Sequence, residues 1–278
     1  MIRLAVRVAR ADAETVLAEL IELVPGGLEE RELGDDAIEY VLYGAPGELP
    51  ALPDVRAAAG EALVDVSSSE LPDDWPERWK QFHRPVDVGG RLRVRPPWEE
   101  PLGDGLDVVI DPGQAFGTGA HMSTRLSLEL LLELQPQGAL ADWGCGSGVL
   151  AIAAARLGWE PVLACDFDAV AIDATRANAL ANGATGVAVE YVDLRRAEGP
   201  WAPTVAANLV GPLLLEVAAL MTRPPERLIA SGLIRGEAGE VAAAFARHGL
   251  REAGARHGGE WTALLLARGS LGRWPMKS

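Results

Sequence analysis

The stretch Ala139 to Val149, ALADWGCGSGV, limits the folds open to this chain more than any other. A short apolar run ends in Asp142, glycines alternate at Gly144, Gly146 and Gly148, and an apolar, alanine-rich stretch continues from Val149 to Leu157. That order reads as strand, glycine turn, helix. Such a turn has to reverse tightly at the carboxyl end of a strand and bring bare backbone up to a ligand, which glycine permits. A second apolar run, Pro161 to Cys165, closes on Asp166, about where an α/β nucleotide site places the acid that accepts both ribose hydroxyls. The two features together predict an α/β fold with a nucleoside cofactor at its strand ends.

Gly146, Gly148 and Ala151 also satisfy the dinucleotide spacing, with alanine in the third place, so a nicotinamide cofactor is an alternative. Asp142 argues against it. A carboxylate at the mouth of the turn repels a pyrophosphate held by a helix N-terminus. S-adenosylmethionine carries an ammonium and a sulfonium instead, and an acid suits it.

With 278 residues, 49% of them hydrophobic, the chain can bury a substantial core, and one large plus one small domain is the natural division. The N-terminus alternates charged and apolar residues, unlike a signal peptide, and no run of 18 apolar residues follows, so a soluble cytoplasmic protein without a membrane role is expected. Cys145 and Cys165 are too few for a disulfide framework or a metal site and read as packing residues. A net charge of −15 disfavours a nucleic-acid backbone as main partner and is compatible with a basic protein.

From the start of the chain, Ile2, Leu4, Val6 and Val8 alternate with polar or small residues, the period of a half-buried strand. A helix capped by Asp12 should follow and end at Pro25-Gly26-Gly27, then strands near Leu28–Leu33 and Ala37–Tyr43, a helix near Asp54–Gly60 and a strand through Leu63–Val66. This βαββαβ order is the ferredoxin-like arrangement. We therefore expect a small ferredoxin-like α+β domain over 1–67, a linker over 68–90, and a doubly wound, mostly parallel α/β domain over 91–278. Within the linker, Trp75, Trp79 and Phe82 share one helical face, and His83 reads as structural, with no metal partner nearby.

Strands are expected at Leu92–Arg95 and Leu106–Ile110, ahead of Asp111 to Thr124, DPGQAFGTGAHMST. This glycine-rich loop ends in Ser123-Thr124 at a helix start, where free backbone N–H groups and hydroxyls suit the carboxylate of a bound amino acid. An ordinary capped helix start explains the same spacing. Phe116 either stacks on the cofactor or anchors the loop. Downstream, Asn208 ends the apolar run Val205–Ala207 and should project into the same cleft as Gly144 and Asp166. Helices over Leu213–Met221 and Glu237–His248, strands at Leu228–Ser231 and Trp261–Leu266, and a frayed tail from Gly269 complete the expected layer. His248 reads as a helix-end cation and His257 as a turn residue.

DPGQAFGTGAH with Thr124, DWGCGSGVLAIAAARLG, Asp166 with Asp168, and AANLVGPL at Ala206–Leu213 together resemble the ribosomal protein L11 methyltransferases, as do the linker WPERWKQFHRP and the closing GEWTALLLAR. The resemblance implies a Rossmann-like class I methyltransferase domain that uses S-adenosylmethionine, and a ferredoxin-like domain that grips a protein substrate, ribosomal protein L11. It places cofactor contacts at Thr124, Gly144, Asp166 and Asn208, with Phe116, Thr118, Gly119 and Gly146 as neighbours. Asn208 would also be catalytic, its amide oxygen orienting an attacking amine. The chain departs from the family pattern at Met122-Ser123, which replace Pro-Thr, at the bulky Trp143, and at Arg223-Pro224-Pro225-Glu226, which replace a Pro-Gly-Gly turn. The expected activity is methylation of lysine and terminal amines of ribosomal protein L11. Rivals are methylation of another amine, a nicotinamide-dependent oxidoreductase, which lacks a visible Tyr-Lys or His-acid proton relay, and a non-catalytic nucleoside-binding protein.

Overall fold

The structure is a computed structural model that describes residues 2–23, 28–34, 36–44, 49–70, 83–101, 105–112 and 119–269. Phe116, Thr118, Trp75, Trp79, Phe82, the Pro25-Gly26-Gly27 stop and the tail beyond Gly269 lie outside the described residues. The chain divides into two compact units, 1–82 and 83–278.

The first unit runs β1 (Ile2–Ala9), α1 (Ala13–Leu23), β2 (Glu29–Leu33), β3 (Ala37–Gly44), α2 (Leu52–Ala59) and β4 (Leu63–Glu70). Its four strands form an antiparallel sheet in the order β2-β3-β1-β4, the ferredoxin-like arrangement. Alternation along β1 and β3 sends Leu4, Val6, Val8, Ile38, Tyr40 and Leu42 to one face, where they pack on Val16, Leu20, Val55 and Ala59 of the helices. The other face is charged. Glu39 is buried there and accepts from Arg3 at 2.5 Å and Arg7 at 3.0 Å.

The second unit begins with a three-stranded sheet of β5 (Val86–Val88), β6 (Leu92–Arg95) and β7 (Leu106–Val109). Strand β5 falls inside the segment expected to be linker. A run of three residues is too short to show a period. Next come α3 (Met122–Glu133), β8 (Leu140–Trp143), α4 (Val149–Leu157), β9 (Val162–Asp166), α5 (Ala169–Ala181), β10 (Val187–Tyr191), β11 (Thr204–Asn208), α6 (Gly211–Leu220), β12 (Arg227–Ile234), α7 (Ala238–Ala246), β13 (Leu250–Gly258) and β14 (Trp261–Arg268).

The main sheet has the order β10-β9-β8-β11-β12-β14-β13. The first five strands are parallel, whereas β14 runs antiparallel to β12 and pairs with β13 as a hairpin. The sheet is thus mostly parallel, as expected, with that hairpin as its antiparallel part, and His257 lies in β13 rather than in a turn. Apolar side chains leave both faces of the strands, which is why these read as continuous hydrophobic runs. One face meets α3, α4 and the β5–β7 strands; the other meets α6 and α7. Successive strands leave β8 in opposite directions, β9 to one side and β11 to the other, so the crevice at the carboxyl ends of β8 and β11 is the topological switch point, where ligands bind in open α/β sheets.

Candidate active site

The glycine turn sits at that switch point. Its first residue after the strand, Gly144, has φ +73, and a Cβ there would lie 2.4 Å from Cδ2 of Leu209, so glycine is required both by the backbone and by the close approach of the β11 end. The turn is anchored to β9: Gly144 and Cys145 donate their N–H groups to the Cys165 carbonyl at 2.9 and 3.0 Å, and Gly146 N–H donates to Asp166 Oδ2 at 3.0 Å. Asp166 Oδ1 accepts from Asp168 N–H at 3.0 Å, while Asp168 caps α5 through Val170 N–H. The Asp166 carboxylate is thus fixed in direction by backbone donors. Burial raises its pKa against those hydrogen bonds. The carboxylate's remaining acceptor capacity fits a ribose hydroxyl at the strand end.

Asp142 is placed differently from expectation. It is buried beneath the turn rather than at its mouth, and its Oδ2 accepts Ala151 N–H at 2.9 Å, in the first turn of α4. It ties strand to helix and stabilises the helix N-terminus. Oδ1 is buried without a hydrogen-bond partner among the described residues. Burial, opposed by the Ala151 bond and reinforced by the Asp166 charge, pushes its pKa up to about 7. The alternation of β8 turns Asp142 toward the packed α4 side.

Helix α5 supports the turn from behind through two residues that sequence reasoning passed over. Thr175 Oγ1 donates to the Gly146 carbonyl at 2.9 Å. Asn178, also buried, donates to the Ser147 carbonyl at 2.9 Å and accepts Asp111 N–H at 3.0 Å. One amide therefore joins the glycine turn to the start of the Asp111 loop. The only signal in the sequence is polarity at positions whose helical period faces the core.

At the other wall, α3 carries Thr124 to the end of β11. Asn208 Nδ2 donates to Thr124 Oγ1 at 3.1 Å, across 84 residues of sequence, and Thr124 is fully buried. The helix start is capped by His121, whose Nδ1 lies 2.8 Å from Ser123 Oγ and accepts Ser123 N–H at 3.3 Å. The hydroxyl and N–H of Ser123, expected to be free for a carboxylate, are therefore taken. Burial lowers the His121 pKa, favouring the neutral ring that accepts as a cap. The same ring meets Trp261 edge-on at 4.6 Å, and Met122 packs against Gly258. Packing on the β13–β14 hairpin thus takes over from the missing proline in holding this end of α3. Gly119 lies against Val94 of β6.

The remaining departures lie elsewhere. Trp143 points to the α6–α7 face, packs over Gly199 and donates to the Pro200 carbonyl at 3.0 Å. Arg223 stacks on Trp201 at 3.5 Å. Cys145 and Cys165 are buried free thiols, and His248 Nε2 meets the Ala218 carbonyl at 2.7 Å, joining α7 to α6.

A five-strand parallel core with an antiparallel hairpin at one edge, a glycine turn at the switch point and an acid ending the next strand define a Rossmann-like class I methyltransferase, whose cofactor is S-adenosylmethionine. The family model described as ribosomal protein L11 methyltransferase matches residues 55–269. The chain belongs to that family. It is 39% identical over 202 residues to a ribosomal protein L11 methyltransferase of Symbiobacterium thermophilum, covering 70% of this chain and 66% of the relative. To one of Vibrio campbellii it is 40% identical over 232 residues, covering 80% and 77%. Among solved structures, the ribosomal protein L11 methylase of Lactobacillus delbrueckii subsp. bulgaricus superposes with a TM-score of 0.60 at 26% identity, covering 68% of this chain and all of that one.

Proposed function

We propose that this protein transfers methyl groups from S-adenosylmethionine to amino groups of ribosomal protein L11, at lysine side chains and the terminal amine. The observation that carries the reading is the convergence of the glycine turn, Asp166 and the Thr124–Asn208 pair on one switch-point crevice. In this reading Asp166 accepts the ribose hydroxyls, the Gly144–Gly146 backbone borders the cofactor, and Thr124 lies on its amino-acid side. Phe116, Thr118 and Gly119 are assigned to the cofactor's neighbourhood by the family pattern. When bound, S-adenosylmethionine supplies an electrophilic methyl carbon on a sulfonium. Asn208 presents its amide oxygen to an N–H of the incoming amine and aims the nitrogen lone pair at that carbon, about 3–3.5 Å away.

The amine must be neutral to attack. A terminal amine, with a pKa near 7.7–8.0, is neutral more often than a lysine near 10.4, and desolvation in the crevice lowers both. No side-chain base is required once that proton is lost to solvent. The acidic net charge of −15 favours approach of a basic ribosomal protein, and the ferredoxin-like unit is assigned to holding it. No helix among the described residues is long and apolar enough to cross a membrane, and a ribosomal protein as substrate supports a cytoplasmic reading.

Calorimetric titration with S-adenosylmethionine, S-adenosylhomocysteine and NADH tests the cofactor assignment, with Asp166→Ala as control. Binding of the first two, lost in the variant, followed by methyl transfer to purified ribosomal protein L11, is expected. Binding of NADH alone would overturn the reading.

A further inference from the structure

Asn208 and Ser231 are neighbours across the β11–β12 ladder, and both reach the same turn of α3. Asn208 Nδ2 donates to the Thr124 hydroxyl; Ser231 Oγ, fully buried, donates to the carbonyl of Ser123 at 2.9 Å, across 108 residues of sequence. That carbonyl also accepts the Ser127 hydroxyl at 3.0 Å. Two adjacent strands thus grip two consecutive residues of one helix, one through a side chain and the other through the backbone.

The residue after Ser231 completes the arrangement. Gly232 has φ +84, and a Cβ there would stand 2.5 Å from the Leu209 carbonyl oxygen and 3.1 Å from Asn208 Oδ1. Glycine leaves Oδ1 uncovered on that side, while the amide nitrogen is engaged by Thr124. A primary amide has two nearly isosteric orientations, and its partners decide between them. An Asn208 rotated by half a turn would show an amine two donors and no acceptor.

We propose that Ser231 is a positioning residue for methyl transfer: by pinning the Ser123 carbonyl it holds the Thr124 hydroxyl, and through it the Asn208 side chain, in place beside the substrate amine. Ser231 touches neither cofactor nor substrate in this scheme, which rests on the role given to Asn208 above. Loss of the Ser231 bond leaves the His121 cap and the hairpin contacts of α3 in place but loosens the tie of the Ser123–Thr124 turn to β12, and the Asn208 side chain loses its fixed place. The consequence falls on turnover rather than on cofactor binding, because Asp166 and the glycine turn are held by other partners.

The test uses the full chain with Ser231→Ala, Thr124→Val and the double variant, measuring kcat for methyl transfer to ribosomal protein L11, S-adenosylmethionine affinity by calorimetry, and Tm. Ser231→Ala is expected to lower kcat about tenfold with the cofactor Kd within about twofold, since one neutral hydrogen bond is worth roughly 0.5–1.5 kcal/mol. The double variant should be no slower than the slower single variant, because both act through one amide. A loss of Tm with kcat unchanged would make Ser231 structural only, and multiplicative kcat losses would place it outside the relay; either overturns the inference. A wild-type chain that binds the cofactor but transfers no methyl to any amine would instead sink the functional reading itself.

Discussion

Replacing Asp142 by asparagine probes how a carboxylate sealed beneath the glycine turn governs stability. Burial first, against the Ala151 hydrogen bond and with the Asp166 charge, moves its pKa from 3.8 to about 7. Between these values the folded chain holds a proton that the unfolded chain has released. Raising the pH across this window therefore favours unfolding, the reverse of a salt-bridged acid. At about 1.4 kcal/mol per pKa unit, a gap of about three units corresponds to roughly 4 kcal/mol between about pH 4 and pH 8. Asparagine keeps an oxygen for Ala151 N–H and removes the titration, at the cost of an unpaired buried NH2 worth about 1–3 kcal/mol. Urea unfolding of both proteins without cofactor, from about pH 4.5 to 8, gives the difference in stability at each pH. Wild type is expected to lead at the acid end and to lose that lead, or fall behind, by pH 8. A difference constant to about 0.5 kcal/mol across the window would refute the reasoning, because Asp142 would then titrate alike in both states.

Three other substitutions probe separate links. Gly144→Ala places a side chain at φ +73 and against Leu209; a loss of about 1–2 kcal/mol from the left-handed conformation should appear in chemical unfolding, with weakened S-adenosylmethionine binding in calorimetry. Trp143→Leu removes the Pro200 bond and opens a void on the α6–α7 face, so stability should fall by roughly 2–4 kcal/mol while the cofactor Kd stays within about twofold. In the small unit, burial works to raise the Glu39 pKa, but the Arg7 hydrogen bond and the Arg3 charge outweigh it and leave the pKa lowered. Its stabilisation is present above the unfolded pKa and disappears as the pH falls through the folded one. Glu39→Gln should therefore cost about 1–2 kcal/mol near pH 7, discounted because Arg7 is half exposed, and nothing in strong acid, as read from the unfolding of the whole chain.

The parts of the site legible in the sequence are those where backbone geometry dictates residue type. Gly144, Gly146 and Gly148 all have positive φ, and the acid ending the next strand has a fixed place in such folds, so the turn and Asp166 were visible without coordinates. Thr124 at a helix start and Asn208 at a strand end are legible as candidates, but their pairing is not, since neither residue type announces a partner 84 positions away. Strand β13 is not legible because Leu250–Gly258, LREAGARHG, is an edge strand of exposed and half-buried residues after Leu250, with no apolar alternation. The His121 cap escaped because the usual N-caps are Ser, Thr, Asp and Asn, and a neutral imidazole does the same work only when burial keeps it unprotonated. The exposure of Asp142 was misjudged because a motif gives spacing along the chain and not which layer lies over it.

The β13–β14 hairpin has a consequence for the order in which the molecule is made. The start of α3 leans on Gly258 and Trp261, residues near the far end of the described chain, and its carbonyl clamp waits for Ser231. During synthesis the glycine turn and Asp166 emerge together and can form early, as local contacts do. The wall opposite them gains its first ties only with β11 and β12, through Asn208 and Ser231, and its last with β14. A nascent chain stopped before β14 would lack the Trp261 and Gly258 supports of α3, so the crevice is completed only once β14 has been made.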